Sequence, residues 1–499
     1  MNLIQGTSGN DTLNGTTSFD KIYGYGGDDT ISGGGGSDAI YAGDGNDSVS
    51  MPWESFHLSA PSIADGGAGQ DTLTLTGVVN GLSPVLDFSH VTGFETINLI
   101  DWLSVTLDDA NFTAGGVLTV VNGNVDASAV TGYHLNYQGN SPPFGGLTEI
   151  VTGTSLSDTI YGRGFLTGGG GDDIITATSA STLYGGDGND TLRDGNVSSV
   201  LDGGPGDDLL EGSTHAAGNT TASYADATSG VTVSLLLTGP QNTGGAGTDT
   251  LTNISNLTGS LYADTLTAGS SDSFLSGGLG NDFLIGGPGN DVIDGGGGMD
   301  TVSYRSATAG VTLDLSTTSS QNTGGAGIDN VSGIEKVVGS DYNDILTAAA
   351  SGSTLNGGAG ADILNGAAGV DALNGGVGDD TITGGGGKDL LTGGAGADKF
   401  IFIAISDSPH GAPDTITDFT HGSDLINLSD IDADTGTGGH QHFHLGGGGG
   451  HAGDITVTYN AGSNQTELDI WTGTHGPADG EILLNGDLHA TLTAGDFVL

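Results

Sequence analysis

From Gly6 to Ser50 the chain reads GTSGNDTLN GTTSFDKIY GYGGDDTIS GGGGSDAIY AGDGNDSVS, five nonapeptides without a gap. Their sixth positions are Asp11, Asp20, Asp29, Asp38 and Asp47, and their eighth are Leu13, Ile22, Ile31, Ile40 and Val49. The frame returns at Gly259–Ser303, with Asp264, Asp282, Asp291 and Asp300 in phase and Ser273 in the gap. It is fullest at Gly339–Ile401, where Asp344, Asp362, Asp371, Asp380, Asp389 and Asp398 hold phase and Ser353 stands in their gap. A less regular block, Gly153–Gly212, carries Asp158, Asp173, Asp190 and Asp208. A period of nine at this length marks a stacked-coil architecture. Six residues of the form G-G-x-G-x-D are turn chemistry, because glycine allows positive φ and close approach of backbones. Three residues of the form x-U-x, with U aliphatic, suit one short strand with a single inward side chain. One aliphatic residue per nine is too little core for an isolated coil, so coils must stack and share it.

Stacking sets turn upon turn and gathers backbone carbonyls around the Asp carboxylates. Carboxylates stacked at one coil spacing repel one another unless a cation lies between them. A cage made only of oxygens suits Ca²⁺. The competing reading is a set of Asp turns that hold no ion.

These blocks resemble the RTX (repeats-in-toxin) family, whose turns bind Ca²⁺ between stacked coils of a parallel β-roll. The resemblance covers roughly two-fifths of the chain and implies an all-β fold: parallel β-roll (β-helix) blocks with strand-rich inserts and a C-terminal β cap. The carboxylates it implies as calcium ligands are the Asp residues named above together with Asp71. It adds the carbonyls of Gly26, Gly34, Gly36, Gly278, Gly280, Gly287, Gly289, Gly358, Gly360, Gly376, Gly378, Gly385, Gly387, Gly394 and Gly396. Multiple calcium ions are therefore the expected cofactors. Residues 397–433 (ADKFIF…SDSPHGAPDTITDFTHGSDLINLSDIDA) resemble the C-terminal domain of serralysin-type RTX proteins. Asp496, Phe497, Val498 and Leu499 resemble the acidic-plus-apolar ending of that group's secretion signal, which implies export through a type I ABC transporter.

A second duplication lies between blocks. Residues 221–251 (TASYADATSGVTVSL…QNTGGAGTDTL) realign with residues 301–331 (TVSYRSATAGVTLDL…QNTGGAGIDNV), at an offset of 80. The organisation read from this is four repeat blocks at 1–51, 151–220, 259–303 and 339–401. Between them stand a β-rich insert at 52–150 and the duplicated strand-rich insert at 221–258 and 304–338, and a C-terminal cap spans 402–499. Period-two stretches such as Thr72-Leu73-Thr74-Leu75 make 52–150 either an irregular solenoid or a small sandwich.

Composition narrows the function. Lys and Arg total 7 against 60 acidic residues, a net charge of −53. Only seven of those acids are Glu, so 60 − 7 = 53 are Asp, a bias toward the carboxylate that suits turns. Seven scattered cations make no phosphate footprint, which argues against nucleic acid as a partner. The same charge disfavours anionic membranes. The absence of Cys removes disulfides and thiolate metal sites. No apolar run is long enough to be a transmembrane segment, and Met1–Gly6 lacks the basic and apolar regions of a cleaved leader.

His440, His442 and His444 alternate with Gln441 and Phe443. On a strand they share one face and form a candidate transition-metal site, with His451 across the glycines 446–450; the alternative is a solvated polar face. No Glu follows a His, and neither a G-x-S-x-G nor a G-x-x-x-x-G-K-[ST] motif occurs. The expectation is a secreted calcium-binding protein of the extracellular space or cell surface, non-enzymatic and structural, in a surface layer, biofilm matrix or adhesin. Its partners would be calcium, the export machinery, and further copies of itself or a surface polysaccharide. The alternative is a secreted enzyme or effector whose activity lies in residues 52–150.

Overall fold

The computed structural model describes residues 1–499 except 57–61, 78–84, 87, 100–102, 110–115, 140–148, 196–197, 215–218, 437, 447–449 and 474–475. Among the described residues the structure is all-β, with no α-helix, and no helix is long and apolar enough to cross a membrane. The chain divides into two compact units. One comprises Met1–Ser229 with Leu237–Asn256, and the other Gly230–Leu236 with Leu257–Leu499.

In the first unit each x-U-x triplet forms a short strand that pairs in parallel with the strand one coil further on. Leu13 lies beside Ile31, Ile31 beside Val49, and Val49 beside Leu73. Ile22 and Ile40 make the matching rung on the opposite face. From Ile22 onward these inward side chains are fully buried, and each contributes about 1.5–3 kcal/mol by leaving water. The core is thus a column one aliphatic residue wide per half-coil, which explains why strands such as Thr12–Asn14 and Thr30–Ser32 need be only three residues long.

The described part of residues 52–150 stands in the same parallel sheets. Thr72–Thr76, Thr96–Asn98, Gly116–Val121, Tyr133–Gln138 and Thr159–Gly162 follow one another as neighbours. It is therefore an irregular stretch of solenoid with longer coils, and the rest of that segment lies outside the described residues. Beyond it the stack runs through Ile174–Ala177, Thr191–Asp194 and Leu209–Glu211 to Gly247–Thr252, which turns back as an antiparallel hairpin with Gln241–Gly244.

The second unit repeats the arrangement. Thr354–Ala359, Ala372–Val377 and Leu390–Ala395 stack on one face, and Ile363–Asn365, Thr381–Thr383 and Lys399–Ile401 on the other. The cap continues both faces. Asp414–Ile416 pairs with Leu390–Ala395 and then with Gly480–Asn485, which belongs to an antiparallel meander with Gln465–Ile470 and Asp454–Asn460. On the other face Leu425–Asn427 is followed by Phe497–Val498.

Candidate metal centres

Where a turn meets its strand, the sixth-position Asp is buried, with 1–2% exposure from Asp362 to Asp398. One carboxylate oxygen serves the neighbouring coil. The Asp362 amide donates to Asp380 Oδ1 at 2.8 Å, Asp380 to Asp398 at 2.9 Å, and Asp371 to Asp389 at 2.8 Å. Asp344 donates likewise to Asp362, and Ser353 to Asp371. The same rungs join Asp11 to Asp29, Asp20 to Asp38, Asp29 to Asp47 and Asp47 to Asp71 in the first block. They join Asp158, Asp173, Asp190 and Asp208 in the second, and Asp264, Asp282 and Asp300 in the third. Each carboxylate thus caps a backbone N–H that stacking would otherwise bury unsatisfied.

The other oxygen is left over. The Oδ2 atoms of Asp29, Asp38, Asp47, Asp71, Asp173, Asp190, Asp208, Asp282, Asp300, Asp362, Asp371, Asp380, Asp389 and Asp398 are buried and accept no hydrogen bond. Around them stand more acceptors. A methyl group built on Gly357 would collide with Asp362 Oδ2 and lie 2.7 Å from the Gly375 carbonyl oxygen of the next coil. At Gly277 the same space is shared by Asp282 Oδ2 and the Gly295 carbonyl. The carbonyls of Gly358 and Gly376, also expected as ligands, face the α-carbons of Gly376 and Gly394, an approach that only a missing side chain permits. Oxygen acceptors converging on a hollow without a donor fit a hard cation. Among the described residues no cluster of three or more His, Cys, Asp or Glu side chains is placed to hold a metal. A cation at one of these turns would therefore meet at most two such side chains, and carbonyl oxygens would have to complete its shell.

Electrostatics point the same way. Burial, joined by the charge of Asp389, pushes the Asp371 carboxyl up to about 7. Burial likewise pushes Asp380 up to about 7, with Asp362 and Asp398 adding like charge. Burial raises Asp173 and Asp208 to about 8. Calcium, when bound, supplies the positive charge that lets such carboxyls ionise. The protein's part is to hold the oxygens in place and exclude water.

Several expected ligands behave differently. Asp11, Asp20, Asp158, Asp264 and Asp344 each accept from a Thr or Ser four residues earlier. Gly287 turns its amide onto Asp291 Oδ2 at 2.9 Å. The strand expected under His440, His442 and His444 is confined to His444–Leu445. Buried Phe443 anchors this segment, and the rings of His440 and His442 tilt toward each other, centroids 6.0 Å apart. His442 Nδ1 lies 2.9 Å from the Leu499 carbonyl. The shared strand face is thus replaced by irregular backbone at 440–443, and the glycines 447–449 between this cluster and His451 lie outside the described residues.

Asp496 is buried under four contacts: the Thr493 amide (2.6 Å) and hydroxyl (3.0 Å), the Gly422 amide (2.9 Å) and His421 Nδ1 (2.8 Å). Burial pushes its carboxyl up, but these donors outweigh burial and hold it below the ordinary range.

Six rungs escaped the sequence reading. Asp249 accepts from Asp208, Asp329 from Asp291, Asp414 from Asp389 and Asp424 from Asp398. Glu95 and Glu335 take the same place for Asp71 and Asp300. The signal was present: GAGTDTL and GAGIDNV, at 245–251 and 325–331, are nonapeptide frames inside the duplicated insert, and TGFETI and SGIEKV carry a Glu in the Asp position.

Known proteins carry stretches that match this chain. Residues 5–40, 26–50, 161–192, 184–214, 258–293 and 267–302 match the RTX calcium-binding nonapeptide repeat, and residues 291–499 match the Peptidase M10 serralysin C terminal family. Metallopeptidase AprA of Pseudomonas marginalis is 42% identical over 80 residues, 16% of each chain. Metalloprotease AprA of Pseudomonas entomophila is 41% identical over 71 residues, 14% of each. The matched stretch is about a sixth of the length of these relatives. The AlgE6R2 subunit of the Azotobacter vinelandii mannuronan C5-epimerase is 30% identical, covering 32% of this chain and 89% of that one, with a TM-score of 0.21. The chain carries the calcium-binding nonapeptide repeats of the RTX family and a serralysin-type C-terminal domain.

Proposed function

We propose that this protein is an extracellular structural element, exported by a type I transporter and rigidified by calcium outside the cell. The observation that carries this reading is the distribution of the unpartnered carboxylate oxygens along the repeat blocks of both units. An ion confined to one place serves a reaction; ions repeated along the blocks serve shape. One inward aliphatic side chain returns less than the backbone entropy lost in ordering nine residues. Calcium ligation supplies folding free energy at the turns that bind it and cancels the carboxylate repulsion there. With extracellular calcium modules binding at about 10⁻⁴–10⁻³ M, the repeats stay unfolded at cytosolic calcium, competent for export, and fold after it.

A surface-layer, matrix or adhesin role follows from rigid, acidic, calcium-loaded rolls, with self-association or a surface polysaccharide as the partner. Circular dichroism during a calcium titration from chelator, with electron micrographs of the loaded protein, tests the reading. Cooperative gain of β structure near millimolar calcium and ordered sheets or filaments support it. A full β spectrum in chelator, or dispersed particles that turn over a substrate, would replace it with a secreted enzyme or effector reading.

A further inference from the structure

Within the nonapeptide blocks the turn carboxylates divide into two groups, and the residue after the turn's first position tells them apart. Before Asp362 and Asp380 that residue is Gly358 or Gly376, with φ of +112° and +109°. The left-handed conformation persists even where the residue is not glycine: Tyr25 before Asp29 has φ +78°, and Ala367 before Asp371 has φ +65°. L-residues adopt this region only against a steric penalty, so the turn itself demands it. All four of these carboxylates keep an unpartnered Oδ2.

In the second group the residue is Thr or Ser without a left-handed φ. Its amide then reaches the carboxylate: Thr154 to Asp158 Oδ2 at 2.6 Å, Ser260 to Asp264 at 2.5 Å, Ser340 to Asp344 at 2.6 Å. The hydroxyls donate to the other oxygen at 3.0, 2.8 and 2.7 Å. Gly287 shows that the backbone decides. It is a glycine outside the left-handed region, its amide donates to Asp291 Oδ2, and Asp291 has no orphaned oxygen.

We propose that the turns Gly-[Ser/Thr]-x-x-x-Asp ending at Asp158, Asp264 and Asp344 close on their own donors and take no calcium, which is confined to turns whose second residue is left-handed. This rests on the calcium reading of the repeats. The donors already supply the positive partial charge that a cation brings to the open turns, and a cation in the same place would face N–H and O–H groups. Position gives the closed turns a role. Each begins a repeat block, and its Asp caps a strand that precedes the block: Leu135 donates to Asp158 at 2.6 Å, Val231 to Asp264 at 2.7 Å and Val311 to Asp344 at 2.6 Å. A block therefore starts from a coil complete without the ion, on which calcium-dependent coils stack.

The test is a crystal structure of the full chain grown in calcium, with ions located by anomalous scattering. Bound calcium is also counted by equilibrium dialysis for Asp344→Asn and Asp362→Asn. Ions bonded to Asp362 and Asp380 Oδ2, none bonded to Asp158, Asp264 or Asp344, and loss of one or more ions only in Asp362→Asn are expected. An ion on Asp344 Oδ2, or equal losses in the two variants, overturns the division while leaving the calcium reading intact. Ions at neither group overturn the calcium reading itself.

Discussion

Replacing Asp380 with Asn separates what the carboxylate does for its neighbour from what it does for calcium. Oδ1 accepts the Asp362 amide at 2.8 Å, and Oδ2 has no donor. Asn keeps the first acceptor and sets an NH₂ group where the second stood. In calcium the variant loses a ligand. With a site dissociation constant of about 10⁻³ M, calcium at about 10 mM contributes RT ln(1 + 10), or about 1.4 kcal/mol, and that is the expected deficit. Asp380→Ala forfeits the same amount and in addition leaves the buried Asp362 amide without an acceptor, a further cost of about 1–3 kcal/mol. Urea unfolding followed by circular dichroism reads both. In calcium the order of stability is parent, Asn, Ala. In chelator at pH 5 the parent carboxyl, pushed up to about 7, is protonated, so parent and Asn become equal while Ala stays behind. An Asn variant as weak as Ala in chelator would refute the rung. An Asn variant unaffected in calcium would refute Oδ2 as a ligand.

Acid should partly replace calcium. Folded carboxyls near 6–8, such as Asp282, Asp371, Asp173 and Asp208, keep protons that the unfolded chain, at its ordinary 3.8, has lost. Their contribution is complete below about 4 and is lost as pH rises through 6 to 8, so chelated protein should show more β structure at pH 5 than at pH 8.5, and the reverse order would contradict it. Leu373→Ala, at a fully buried position, should cost about 2–5 kcal/mol, with exchange protection falling around residues 339–401 and not at 6–50. Asp496→Ala should destabilise the cap by at least the about 1.5–3 kcal/mol of one hydrogen bond to a charge, read as a lower melting temperature in calcium. Removal of Asp496–Leu499 should also reduce export through the native transporter.

The aliphatic and aspartate positions of the repeats were legible because each nonapeptide spells one turn and one strand locally. Asp249 and Asp329 were harder because their partners lie 41 and 38 residues earlier, a separation that periodicity cannot see. Glu95 and Glu335 broke the Asp pattern while filling its place. The distinction between Gly358 and Ser340 was written in the sequence, but its meaning is a φ angle. The histidine segment misled because alternation implies a strand only where neighbours supply hydrogen bonds.

The rungs are indifferent to how much chain separates them. Asp190 and Asp208 are 18 residues apart, Asp47 and Asp71 are 24, Asp300 and Glu335 are 35, and Asp208 and Asp249 are 41, yet one carboxylate-to-amide contact closes each coil. A fold keyed this way has sockets rather than a fixed circumference. New sequence can be spliced between two rungs and bulge outward while the column of aliphatic side chains keeps its spacing. The copy of the 221–251 stretch at 301–331 has the look of one such graft. The architecture lends itself to acquiring and displaying foreign loops without a redesign of what holds it together.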